Sequence, residues 1–152
     1  MNVILERSLQ VPWYTDMSAT LSAMGTDPNC YDWFVSDVET NDSLPRLNDG
    51  NTWVTGEELA QLLRQPIQFI WAVFSAFPRG VRVDVSSPPD ADGNPSLWRP
   101  PEVAPQLSGA CFEIVCWDSS ATILIGVSEE QARRFSQTYS DAKPLSSTWP
   151  KT

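Results

Sequence analysis

Ile67-Gln-Phe-Ile-Trp-Ala-Val-Phe-Ser-Ala-Phe77 decides the fold, because it is apolar on both of the faces that a β-strand presents. Alternation puts Phe69, Trp71, Val73 and Phe77 on one side and Ile70, Phe74 and Ala76 on the other. Such a strand belongs at the centre of a sheet covered above and below. A buried helix reads the same way by pattern alone, while the run is too short to span a bilayer.

Outward from this run, Pro78-Arg-Gly80 makes a turn and Val81-Arg-Val-Asp-Val85 alternates as a strand with one wet face. Upstream, Thr55-Gly-Glu-Glu58 is a capping box flanked by Val54 and Leu59 at staple positions. It opens a helix to about Arg64, stopped before Pro66, with Leu59, Leu62 and Leu63 inward. Cys30 to Val38 reads as a strand, and a loop marked by Pro45 and Asp49-Gly50 follows it. Asn2 to Leu9 reads as a strand with Val3, Leu5 and Leu9 on one face. Pro12 then opens a helix striped by Trp13, Met17, Leu21 and Met24 and ended by Gly25.

Downstream, Ala110–Trp117 and Ala121–Val127 form an antiparallel hairpin across Asp118-Ser119-Ser120. Ser128-Glu-Glu-Gln131 caps a last helix with Ala132, Phe135 and Tyr139 inward. The order is β-α-β-α-β-β-β-β-α. Short connections between strands predict an α+β fold, a largely antiparallel sheet of five to six strands with three helices on one face. It occupies residues 1–141 as one domain, and 142–152 form a loose tail apart from Trp149. Residues 86–109 carry six of the 13 prolines and read as a long loop that is functional or mobile.

A chain of 152 residues can bury a core without disulfide or metal. No basic segment followed by an apolar run opens it, so a cytoplasmic protein that does not enter membranes is expected. Cys30, Cys111 and Cys116 read as small apolar core residues. Histidine is absent, which removes the commonest general base and metal ligand. No cofactor or metal is expected. Asp90-Ala-Asp92-Gly-Asn94 resembles the start of a calcium loop, but Pro95 and Pro101 occupy the positions of its glycine and its bidentate glutamate.

Charge is the strongest functional signal. Ten acids against two bases lie in the first 62 residues, within a net charge of −9 for the chain. Such a surface repels nucleic acid and attracts a basic protein. Asp37, Glu39, Asp42 and Asp49 are the candidate electrostatic contacts. Trp53 and Trp98, in segments where full burial is hard, are the candidate anchors. The competing account of these rings is that they pack back over the sheet. Asp37 and Glu39, sharing a strand face, are also the one pair suited to carboxylate hydrolysis.

Tyr31-Asp-Trp-Phe-Val-Ser-Asp37, Thr55-Gly-Glu-Glu-Leu59, the run Phe69 to Gly80 and the strand–helix close Ile123 to Phe135 resemble small bacterial domains of unknown function. In acidity, size and tryptophan content the chain also looks like immunity proteins of bacterial toxin systems, which implies binding and blocking a cognate toxin. The leading expectation is therefore a non-enzymatic acidic protein-binding domain, an immunity-type inhibitor of a basic toxin. A small-ligand or regulatory module with an aromatic pocket under the 86–109 loop is the alternative from another class, and a carboxylate hydrolase the third. A homo-oligomer through an unpaired edge at Val81 to Val85 also stays open.

Overall fold

The computed structural model describes residues 1–41, 47 and 51–151. Seven strands form one antiparallel sheet: β1 (Val3–Glu6), β2 (Tyr31–Thr40), β3 (Thr52–Thr55), β4 (Phe69–Pro78), β5 (Phe112–Trp117), β6 (Ala121–Ile125) and β7 (Lys143–Pro144). Their order across the sheet is β3-β2-β4-β5-β6-β1-β7. Three α-helices lie wholly within the described residues: α1 (Met17–Met24), α2 (Gly56–Leu62) and α3 (Glu129–Thr138). The fold is α+β, with β4 inside the sheet and hydrogen-bonded to β2 and β5.

The helices form where the sequence supplies both ends. Asp16 caps α1 through its carboxylate and the Ala19 amide, and Gly25 closes it at φ 66°. The capping boxes of Thr55 with Glu58 and of Ser128 with Gln131 are both made. Met17, Leu21, Met24, Leu59, Ala132 and Phe135 then bury against one sheet face, carried by Trp33, Phe74, Ile114 and Leu124. Trp33 is fully buried and donates its indole N–H to the Pro28 carbonyl.

The other face is also apolar, but among the described residues no α-helix covers it. Ile4, Val73, Val115 and Ile123 pack under Ala91, Leu97 and Leu145. Phe34 and Phe77 pack with Leu107, Val83 and Val85. The cover is an irregular strap running from 81 to 110, together with the end of the chain.

Several expectations change here. Val81 to Val85 alternates in burial, yet it pairs with no strand. Val83 and Val85 are drawn onto Phe34 and Phe77 instead, so the free edge expected there for self-association does not form. The sixth and seventh strands come from segments read otherwise: Thr52–Thr55 pairs with Asp32–Val35, and Lys143–Pro144 pairs with β1. The tail expected to be loose is therefore tied down, with Leu145 buried and the Trp149 indole N–H donated to Leu97 O. Leu9, expected inward, is fully exposed because β1 ends at Glu6. Of the three cysteines only Cys116 is buried; Cys30 and Cys111 lie at strand ends in solvent. Asp42, Pro45 and Asp49-Gly50 fall outside the described residues.

The two faces of β4 are also divided differently from simple alternation. Phe69 packs on the helix side with Phe74, while Trp71 lies with Val73 under the strap. The register explains it: Ser36 pairs Val73, Glu39 pairs Trp71 and Thr40 pairs Phe69, so first β2 and then β4 carries an extra residue. Asp37, inside the first irregularity, takes φ 53°.

Gly56 begins α2 against the turn before β2. A Cβ there would lie 2.2 Å from Pro28 O and 2.7 Å from Tyr31 O, both backbone atoms. We expect Gly56→Ala to cost about 3 kcal/mol, at the upper end of overpacking penalties. Thr55→Ala, which removes only the cap, should cost about 1 kcal/mol. Urea denaturation checks the order, and equal midpoints for the two variants would contradict this packing.

Candidate functional site

An irregular strap laid across a sheet has a chemical difficulty: its amides lack ladder partners and must find others. Six prolines between Pro88 and Pro105 remove some of those donors outright. Side chains from the sheet receive others. Asp37 Oδ2 accepts from the Ala91 and Asp92 amides, each at 2.8 Å. Its neighbour Ser36 donates its hydroxyl to Pro89 O at 2.8 Å in the interior. At the far end, Glu113 on β5 accepts from the Gln106 amide at 2.6 Å and the Leu107 amide at 3.1 Å. Ser75, its register partner on β4, donates a third hydrogen bond at 2.7 Å. The Gln106 side chain then clips the two ends together by bonding both the amide and the carbonyl of Asp90.

Glu113 is 1% exposed. Burial pushes its carboxyl above the ordinary value of 4.5, and the hydrogen bonds from Ser75, Gln106 and Leu107 oppose that rise. Among the described residues no basic side chain pairs with it. Beside it, under the strap, lies a cavity of about 380 Å³ walled by Leu97, Val103 and Ile125 and rimmed by Asp90, Asn94 and Ser96.

The residues singled out from the sequence divide into two groups. Asp37, Glu39 and Trp98 gather around the first turn of the strap. Glu39 is exposed and opposite Trp71, whose ring meets Trp117 edge-on at 4.9 Å, and Trp117 meets Trp98 at 5.0 Å. Ala91, held by Asp37, packs into the same cluster. Trp53 stands apart, edge-on to Phe34 and Phe77 and under the Arg82 guanidinium at 5.6 Å. Both tryptophans are half-buried and cover the sheet, as the packing account holds. Asp42 and Asp49 lie outside the described residues.

The acids of the first 62 residues are largely engaged within the molecule. Asp16 and Asp27 cap turns, and Glu58 completes its box. Glu6, Asp32 and Glu57 pair with Lys143, Arg82 and Arg79. With Asp37 on the strap, Glu39 is the one described acid in this segment without a hydrogen bond or ion pair to the described residues. The described acids of this segment therefore do not form an unengaged carboxylate face, since local amides and guanidinium groups compete for the same oxygens.

The same geometry bears on the other readings. Asp37 and Glu39 are separated by the bulge, and Asp37 already serves two amides. Among the described residues no group of three or more His, Cys, Asp or Glu side chains is placed to hold a metal. The pocket under the loop exists, but its walls are aliphatic and polar, with the tryptophans packed beside it. No helix among these residues is long and apolar enough to cross a membrane.

Comparison with known proteins finds no protein family, no curated protein and no solved structure that matches this chain. The likeness to small bacterial domains thus rests on the residues quoted for it, and that to immunity proteins on acidity, size and tryptophan content.

Glu113 is the residue that sequence reading missed. A single Glu in the apolar run Phe112-Glu-Ile-Val-Cys-Trp117 was the available signal, because a carboxylate at a core position needs donors.

Asp37→Ala should cost about 2 kcal/mol, since it strips two amides of their acceptor and leaves a Cβ at positive φ. Asp37→Asn, which keeps an acceptor and tolerates that φ, should cost less. Hydrogen exchange should quicken at Ala91 and Asp92 in the Ala variant, and unchanged protection there would contradict the tie. Glu113 gives a pH signature of definite sign. Its folded pKa lies above the unfolded one, so the native state holds the proton more tightly, and its contribution falls as pH rises from about 4.5 through the raised value. Denaturation from pH 4.5 to 7 should show the stability of the native chain, relative to Glu113→Gln, declining with pH.

Proposed function

We propose that this protein works by binding a cationic protein partner, in the manner of an immunity-type inhibitor of a basic toxin, rather than by catalysis. The observation that carries the reading is charge: the chain holds a net −9. Five of its bases, Arg79, Arg82, Arg133, Arg134 and Lys143, are already neutralised by carboxylates of the same molecule. These pairs cancel acid and base together, so the net charge that a partner meets stays negative. The contact region is the first turn of the strap. There Asp37 draws Asp92 beside it by bonding its amide, and the Glu39 carboxylate is free of the described residues. Trp98 is the half-buried ring next to that turn and supplies an apolar anchor.

Electrostatic docking of this kind acts mostly on the association rate and weakens with salt. Glu39→Lys combined with Asp92→Lys should slow association with the partner about tenfold at low salt and flatten its salt dependence. The measurement is surface plasmon resonance against the partner recovered from the native host and prepared pure. An acidic partner, or one whose capture ignores salt, would overturn the reading.

A second reading, a small-ligand module, is favoured by the cavity beside Glu113. At about 380 Å³ it falls in the range of small-molecule sites, roughly 300–1,000 Å³.

A further inference from the structure

We propose that the cavity under the strap binds a primary ammonium group on a short alkyl chain, as a free amine or as the lysine side chain of a partner. The inference rests on the small-ligand reading and names its chemistry.

The floor is a carboxylate with no counter-ion among the described residues. Glu113 is buried, and no basic side chain among the described residues pairs with it. Its backbone donors, Gln106 and Leu107, address both oxygens, the arrangement that suits the ionised form. A carboxylate offers about four acceptor positions. Three are taken, by Gln106 on Oε1 and by Ser75 and Leu107 on Oε2, so one remains on Oε1. A single N–H fits that vacancy. A guanidinium, which prefers to grip both oxygens at once, does not.

The rest of an ammonium's needs are met at the rim. An ammonium has three donors. Asp90 has a carboxylate without a hydrogen bond to the described residues, and the Ser96 hydroxyl lines the same space. Leu97 and Ile125, each 2% exposed, with Val103 form an aliphatic sleeve suited to methylenes. No Lys or Arg lines the cavity, so nothing there favours an anion. A quaternary ammonium has no N–H and is recognised by aromatic faces. Trp71 and Trp98 each meet Trp117 edge-on, outside this lining.

The test is a titration of the ¹⁵N-labelled full chain with n-butylammonium, tetramethylammonium, butan-1-ol and Nα-acetyl-lysine amide, following the Gln106 and Leu107 amides. The expected result is a saturable shift with n-butylammonium, and none at tenfold higher tetramethylammonium or butan-1-ol. Saturation by the lysine amide too admits a partner's side chain, and its exclusion assigns the site to free amines. Asp90→Asn, which leaves the backbone bonds to Gln106 in place, should weaken binding about tenfold. Ala104→Trp, at an exposed position of the lining, should abolish it. Because neither variant touches Glu113, the test does not depend on the folding of Glu113→Gln. Equal saturation by butan-1-ol would overturn the ammonium assignment while leaving a small-ligand site. Absence of saturation with every probe, or unchanged binding in Ala104→Trp, would overturn both.

Discussion

A strand that is apolar on both faces has to be covered twice, and β4 imposes that demand on everything around it. Val73 and Phe77 on one side and Phe74 and Ala76 on the other have no exposure to water. One cover is conventional: three capped helices lay their apolar stripes on the sheet. The second is a strap with no ladder of its own. An irregular cover brings unpaired amides to an apolar surface, and each must be met by an acceptor or it costs more than the contact gains. Asp37 and Glu113 stand in the sheet as those acceptors, while Ser36 donates to the Pro89 carbonyl of the strap and Ser75 donates to Glu113.

This requirement changes the meaning of the chain's acidity. Carboxylates are the strongest acceptors a side chain can offer to an amide, and here several act as structural acceptors. Asp16, Asp27 and Glu58 hold turn and helix starts, Asp37 and Glu113 hold the strap, and Asp32 receives Arg82. Such groups lose their freedom to rearrange. The external field of the molecule stays negative, but a partner meets few carboxylates able to reorganise around it. The proposed recognition by long-range attraction accords with that arrangement, and in that proposal the specific grip falls to Glu39, Asp92 and the tryptophan cluster.

The same strap creates the cavity. Because the strap is pinned at Ala91 and Asp92 by Asp37 and at Gln106 and Leu107 by Glu113, with Leu97 seated on the sheet between them, space is left beside Glu113. Glu113 closes one end of that space without a cation. A buried carboxylate in this state is held by its hydrogen bonds alone, at a desolvation cost shown by its raised pKa. Structural need and the proposed ligand chemistry thus meet at one residue.

The sequence by itself determined the local elements. Thr55 with Glu58, Ser128 with Gln131, and Gly25 mark helix ends, and Ile67 to Phe77 announces a strand with two covered sides. These signals are contained within a few residues, so α+β with a largely antiparallel sheet was legible. What only the tertiary structure decided depends on partners distant in sequence. The Asp37 carboxylate meets amides more than 50 residues away, and Val81 to Val85 fails as a strand because Phe34, Phe77 and Leu107 offer a better contact than any edge. Lys143–Pro144 becomes the seventh strand because β1 has a free side. A carboxylate's sequence position gives its charge; whether that charge faces solvent or an amide is settled by which backbone donors the folded chain leaves unpaired nearby.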